Sequence, residues 1–144
     1  CEQPPLSLIK SIEMAGCYVV DDDFGLVHRW LLDEVPAIGD PLQELSLAFL
    51  HRSNQQASKY DEKKEDKGKQ LVHSVKFYGA EGVIFAAPSF CDPALLERPM
   101  LQDVLAKHKI PYTAFKFAEN TGQMAPIREQ AGTFADSIKL WSAA

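Results

Sequence analysis

Three cysteines, at positions 1, 17 and 91, are the side chains of this 144-residue chain best suited to hold a metal or act as nucleophiles. No two form a CxxC pair, and His28, His51, His73 and His108 show no ligand spacing with one another or with the sulfurs. A disulfide-framed secreted domain would carry a denser, even set, so reduced thiols in a cytoplasmic setting are expected. Cys91 stands apart by its neighbours. It lies in Pro88-Ser89-Phe90-Cys91-Asp92-Pro93, between an apolar run and a proline that can open a helix. A helix N-terminus favours anions, so this thiol should ionise readily, and a thiolate is the donor that iron–sulfur clusters take. The competing reading is a small buried apolar residue, the usual state of a free cysteine, and local features leave both open. Cys17 precedes an apolar run and reads as core packing; Cys1 is ambiguous.

The second chemical feature is Asp21-Asp22-Asp23, which could bind Mg²⁺, accept a proton or cap a helix. No GxGxxG, P-loop or Gly-x-Ser-x-Gly elbow occurs, so nucleotide hydrolysis is not expected on this chain. The net charge is −5, from 15 basic and 20 acidic residues, which argues against a nucleic-acid partner. No apolar stretch approaches the roughly 18–20 residues that span a bilayer, and no signal-peptide pattern opens the chain. At 46% hydrophobic and 24% charged, the composition is that of one ordinary globular domain, 1–144.

The elements that must position these residues alternate. Pro4-Pro5 can open a helix carrying Leu6, Ile9, Ile12 and Met14, which Gly16 ends. Cys17 to Val20 reads as a buried strand running into the aspartates, and Phe24 to Leu32 as a helix. Asp40-Pro41 is a helix entry, with Leu42, Leu45, Ala48 and Phe49 as its apolar stripe. Lys59 to Lys69 mixes both signs of charge, as a solvated helix face or entry does, and Leu71, Val72, Val75 and Tyr78 then supply a buried stripe. Gly82 to Ala87 is the clearest strand, stopped by Pro88. A helix over Pro93–Lys107 capped by Asp92, a strand over Tyr112–Phe117 and a helix over Pro126–Trp141 complete the set.

Helices alternating with short, continuously apolar strands predict an α/β fold: a three-layer, flavodoxin-like unit whose short parallel sheet is covered on both faces. Three strands are visible, and a fourth directly before Cys1 would complete the unit. The opening Cys1-Glu2-Gln3-Pro4-Pro5 is loop-like, and the chain is expected to be the carboxy-terminal domain of a longer subunit whose amino-terminal half is absent. In open α/β sheets ligands bind outside the carboxyl ends of the strands. That rim would gather Cys1-Glu2-Gln3, Asp21-Asp22-Asp23, Pro88-Ser89-Phe90-Cys91-Asp92 and Glu119-Asn120-Thr121-Gly122, with Cys1, Gln3, Asp21, Asp22, Ser89 and Phe90 as substrate-cleft candidates beside Cys91.

At these residues the sequence resembles the benzoyl-CoA reductase and 2-hydroxyacyl-CoA dehydratase family. The resemblance is carried by Cys1-Glu-Gln-Pro-Pro, Ala15-Gly-Cys-Tyr-Val-Val-Asp-Asp-Asp, Gly82-Val-Ile-Phe, Phe90-Cys-Asp-Pro, Lys109-Ile-Pro-Tyr and Ile127-Arg-Glu-Gln with Phe134 and Ile138. It covers nearly the whole chain. The first run and the aspartate triplet look closer to benzoyl-CoA reductase than to the dehydratases, and among its subunits the resemblance favours the gamma (C) type. The resemblance implies paired subunits, each holding a [4Fe-4S] cluster through three cysteines, one of them in the Phe-Cys-Asp-Pro loop. By that match Cys91 is a cluster ligand, its companions lie in the absent half, and Cys1 and Cys17 are not ligands. It further implies a second cluster-bearing subunit, ATPase subunits that carry the ATP and Mg, ferredoxin as electron donor, and benzoyl-CoA as the substrate reduced to a cyclic diene-carbonyl-CoA.

Two alternatives remain open. A 2-hydroxyacyl-CoA dehydratase component would share the cluster and fold. A non-catalytic flavodoxin-like interaction module would share only the fold, as would a receiver-type signalling module, which fits poorly. A receiver needs an acceptor aspartate where Ala87-Pro88 stands, and Lys116 is not followed by proline.

Overall fold

The computed structural model describes residues 4–23, 34–52, 67–118 and 124–142. The first helix, α1, spans Leu6–Met14. Pro5 precedes it with φ −66° and ψ 144°, and its carbonyl accepts from the Leu8 N–H at 2.9 Å. The helix stops where Gly16 takes φ +94°, which lets its N–H reach the Glu13 carbonyl at 3.0 Å. A residue with a Cβ would be strained there.

Helices α2 (Pro41–Arg52) and α3 (Lys67–Phe77) follow. Asp40 caps α2, its Oδ1 accepting from the N–H of Leu42 at 2.8 Å and of Gln43 at 3.1 Å. Strand β1 (Val83–Pro88) leads through α4 (Asp92–Lys107) to β2 (Tyr112–Phe117), and α5 (Met124–Ser142) closes the order. The strands pair in parallel from Val83 opposite Tyr112 to Pro88 opposite Phe117.

Strand alternation sends the side chains of this pair to two helical layers. Phe115 and Phe117 join Leu8 and Ile12 of α1 and Ile127 and Ala131 of α5 in the main buried cluster, with Ile84 packed against it. Phe85 and Tyr112 meet edge-to-face on the alternate set of positions, centroids 6.3 Å apart. There α4 lies against β1, and α3 packs on α4. The result is a three-layer α/β unit with a short parallel sheet, as the alternation of elements requires.

Several expectations change in detail. Cys17–Val20 forms no strand; Tyr18 is 90% exposed, and a cavity separates the segment from β1. A β-branched run becomes a strand only when a backbone edge is in hydrogen-bonding reach, and among the described residues none is. The described sheet therefore holds two strands rather than three or four. On α1 the buried positions are Leu8 and Ile12, while Leu6 and Met14 face solvent. On α2 Ala48 is buried, and Leu42, Leu45 and Phe49 are exposed. In α3 Val72 and Val75 are buried as expected, but Tyr78, just past its end, is exposed. The helix expected over Phe24–Leu32 and most of the run from Lys59 lie outside the described residues.

The α3–α4 contact is close because Gly68 has no side chain. A Cβ built there would lie 2.6 Å from Val104 Cγ2 and 3.0 Å from Val104 Cβ. Gly68→Ala should gain up to about 1 kcal/mol in helix propensity, and the overpacking against a branched side chain should cost about 1–3 kcal/mol. A net loss of stability in urea unfolding is expected, and Val104→Ala in the same chain should restore part of it.

Candidate functional site

The rim of the sheet is built from the end of β1. Pro88 cannot donate to a ladder, and its carbonyl accepts from the Cys91 N–H at 3.1 Å, turning the chain within four residues. Ser89 extends the strand pairing by one step. Its N–H and its hydroxyl both donate to the Phe117 carbonyl, at 2.8 and 3.1 Å. The turn is thereby tied to the carboxyl end of β2.

Cys91, not Asp92, is the N-cap of α4. It has φ −87° and ψ 81°, its carbonyl accepts from the Leu95 N–H at 3.1 Å, and Asp92 sits in the first turn with Pro93. The reason is the turn itself: closing Pro88 to Cys91 brings the Cys91 carbonyl into line with the helix axis, one residue earlier than capping preference alone suggests. Cys91 is 8% exposed, whereas Phe90 beside it is 94% exposed. The Cys91 sulfur is disulfide-bonded, contrary to the expectation of reduced thiols, and Cys17 is a free thiol.

A cavity of about 530 Å³ opens beside this rim. One wall is Cys17 to Asp23, another the length of β1, and α3 and α4 contribute Lys67, Glu97 and Arg98. Lys67 and Glu97 form an ion pair with both side chains 17% exposed. Among the described residues, Arg98 Nε is buried without a hydrogen-bond partner. Sequence reading placed Lys67 on a solvated face, and its pairing with a residue thirty positions away leaves no local signal. Asp22 is half-buried, Asp21 and Asp23 are exposed, and all three line the cavity.

Of the expected rim residues, the structure brings Ser89, Phe90 and Cys91 together on one turn. Asp21 and Asp22 share the cavity with Pro88, but that cavity stops short of Cys91. Cys1, Glu2, Gln3 and residues 119–122 lie outside the described residues. Among the described residues no three His, Cys, Asp or Glu side chains converge as a metal site. The fit to an iron–sulfur cluster is therefore that of one donor. Once reduced, Cys91 offers a soft thiolate at a helix N-terminus, and any further donors must come from elsewhere.

Comparison with known proteins places the chain in a family. A family model described as "2-hydroxyglutaryl-CoA dehydratase, D-component" matches residues 1–138. The chain belongs to this family. It is 70% identical over 142 residues to the C-type subunit of benzoyl-CoA reductase from Thauera aromatica, covering 99% of this chain and 37% of that protein. It is 26% identical over 134 residues to the beta subunit of (R)-2-hydroxyglutaryl-CoA dehydratase from Acidaminococcus fermentans, covering 91% and 35%. It is 28% identical over 131 residues to the (R)-phenyllactyl-CoA dehydratase beta subunit of Clostridium sporogenes, covering 91% and 34%. The chain thus spans little more than a third of the length of these relatives. Family membership sets aside the signalling-module alternative, and among the described residues no helix is long and apolar enough to cross a membrane.

Cys17 belongs to the packing rather than to the rim. Its pKa is raised by burial, against a smaller lowering by the Lys139 ammonium, and its sulfur approaches the Ala131 carbonyl at 3.8 Å. A raised pKa leaves little thiolate near neutral pH. Cys17 should therefore alkylate at least about tenfold more slowly than an exposed cysteine at pH 8, with the difference lost in denaturant. Mass-spectrometric timing of iodoacetamide labelling checks this.

Proposed function

We propose that this chain forms part of a cluster-bearing subunit of an ATP-dependent, ferredoxin-linked benzoyl-CoA reductase. The observation that carries the reading is the 70% identity, across 99% of the chain, to the C-type subunit of the Thauera aromatica benzoyl-CoA reductase. In this reading Cys91 is one ligand of a [4Fe-4S] cluster, and the remaining ligands come from sequence outside these 144 residues. A second cluster-bearing subunit, ATPase subunits holding ATP and Mg, and ferredoxin complete the electron path, in a cytoplasmic setting.

The chemistry explains that division of labour. Adding an electron to an aromatic ring demands a very low potential, and the cluster supplies it when its charge, hydrogen bonding and solvent access are tuned to that end. This chain's own part is to hold one thiolate at the start of α4, where backbone N–H groups stabilise negative charge. Phe90, 94% exposed next to Cys91, supplies an apolar surface that can exclude water from a reacting acyl group. Ser89 donates its hydroxyl to the Phe117 carbonyl, which helps to fix the turn, and its oxygen can still accept a hydrogen bond, so it stays among the substrate-cleft candidates. The aspartates at 21 and 22 remain substrate-cleft candidates by their place on the same side of the molecule as Pro88, and Cys1 and Gln3 by the resemblance.

A second reading is favoured by the family model's own description and by the two dehydratase beta subunits. In that reading the same cluster ligand serves dehydration of a 2-hydroxyacyl-CoA. The complete enzyme complex, assayed anaerobically with benzoyl-CoA and separately with a 2-hydroxyacyl-CoA, should consume the first with ATP hydrolysis. Dehydration without ring reduction would establish the second reading.

The ligand assignment is tested separately. In the complete complex, Cys91→Ser should lower iron content by the equivalent of one cluster and cut activity at least about tenfold, because an alcohol is a poor replacement for a soft thiolate donor. Full iron content and full activity in that variant would remove Cys91 from the site.

A further inference from the structure

Helix α4 is apolar on two sides at once in its first half. Its inner side carries the half-buried Ala94 and Leu101 and the fully buried Leu105. Its outer side carries Pro93, Leu96, Pro99 and Met100, all exposed, Leu96 by 80%. At 3.6 residues per turn these four fall within about a third of the helix circumference. The same outer face changes character along the axis. Past Met100 it continues as Asp103 and Lys107, an i,i+4 ion pair at 2.6 Å whose side chains are 63% and 70% exposed. That half is solvated in the ordinary way. The apolar half is the one that begins at Cys91.

Pro99 marks the same stretch. It has no N–H, so the Leu95 carbonyl lacks its usual donor four residues on, at a cost of about 3 kcal/mol in a helix interior. An acceptor is thereby left alongside the exposed apolar side chains. A helix facing water carries polar residues opposite its core, and one that is apolar all round is covered all round.

We propose that this outer face, from Pro93 to Met100, is covered by the amino-terminal half of the same subunit, which docks there as it brings its cluster ligands to Cys91. Three considerations select that occupant. This chain covers 37% of the Thauera aromatica subunit it resembles, so the larger part of such a subunit lies outside these residues and is tethered to them. Donors to one cluster converge on a single small core, so the segment that supplies them lies against the surface around Cys91, and the apolar face starts two residues further on. The face is also small. A separate protein needs about 20–30 residues a side to hold on, whereas a tethered segment binds at high effective concentration. The choice of occupant rests on the reading of Cys91 as one cluster ligand; the apolar face itself does not.

A benzophenone photo-cross-linker placed at position 96 of the complete enzyme complex identifies what covers α4. Irradiation and peptide mapping should join α4 to a peptide of the same polypeptide from the amino-terminal side of Cys1. A cross-link to another subunit, or none at all, would overturn the proposal. Should the bulky group prevent assembly, Met100 in the unmodified full-length subunit, freed of its partner subunits, decides. It should form sulfoxide with hydrogen peroxide at least about tenfold more slowly than in denaturant, and any smaller protection overturns the proposal, because Met100 is 43% exposed on this domain alone. Cys91→Ser separates the docking from the reading it rests on. Full iron content in that variant beside an intrachain cross-link removes the ligand role alone, and lost iron beside a cross-link to another subunit removes the docking alone.

Discussion

The parallel pairing of β1 with β2 is the constraint on which the rest of the molecule hangs. Its register, from Val83 opposite Tyr112 to Pro88 opposite Phe117, decides which side chains meet which helical layer. It sends Phe115 and Phe117 into the cluster with α1 and α5. It also decides where the chain must turn, because the Phe117 carbonyl collects both donors of Ser89. A shift of one residue would reverse every face and move the turn. The position of Cys91 at the mouth of α4 is thus a consequence of strand register rather than of anything local to the cysteine.

The helical layer over α3 and α4 is held by different means. Gly68 lets the two helices approach until Val104 fills the place of a side chain, and the Lys67–Glu97 pair joins them at one end. Removing two charges from water costs several kcal/mol per ion before their attraction is counted, so a largely buried pair is weak evidence of stability. Its stronger effect is on specificity. With Lys67 engaged by Glu97, the α3–α4 end of the cavity carries a neutralised pair, and Arg98 and Asp21–Asp23 are among the other charged residues that line it.

Much of this architecture was legible in the sequence, and the parts that were not share a cause. The β2 boundaries, Tyr112–Phe117, follow from Pro111 and a short apolar run, and α1 ends where Gly16 demands it. The Asp40 cap of α2 is likewise local chemistry. What local pattern could not supply was the partner. Val19 and Val20 have strand composition, but a strand exists only with a neighbour in bonding reach. Leu42, Leu45 and Phe49 form a helical stripe, yet among the described elements no strong packing covers it. Lys67 looked solvated because Glu97 is distant in sequence. At the site, the turn around Cys91 was readable from Pro88 and Pro93. The cap at Cys91 itself was not, because it depends on the closing of that turn.

The two described cysteines show how position, rather than residue type, assigns chemistry. Cys17 is half-buried against α5, and desolvation outweighs the Lys139 charge, so its proton is held more tightly than in water. Such a thiol packs well and reacts poorly. Cys91 is even less exposed, and by burial alone it would be the more inert of the two. What separates it is the orientation of the backbone around it: it heads a sixteen-residue helix whose first N–H groups have no carbonyl partners within the helix. That field acts on a sulfur anion and scarcely at all on a neutral group. A disulfide sulfur is not a thiolate, so in the reading proposed above the disulfide at Cys91 must be reduced before its sulfur can serve as a ligand.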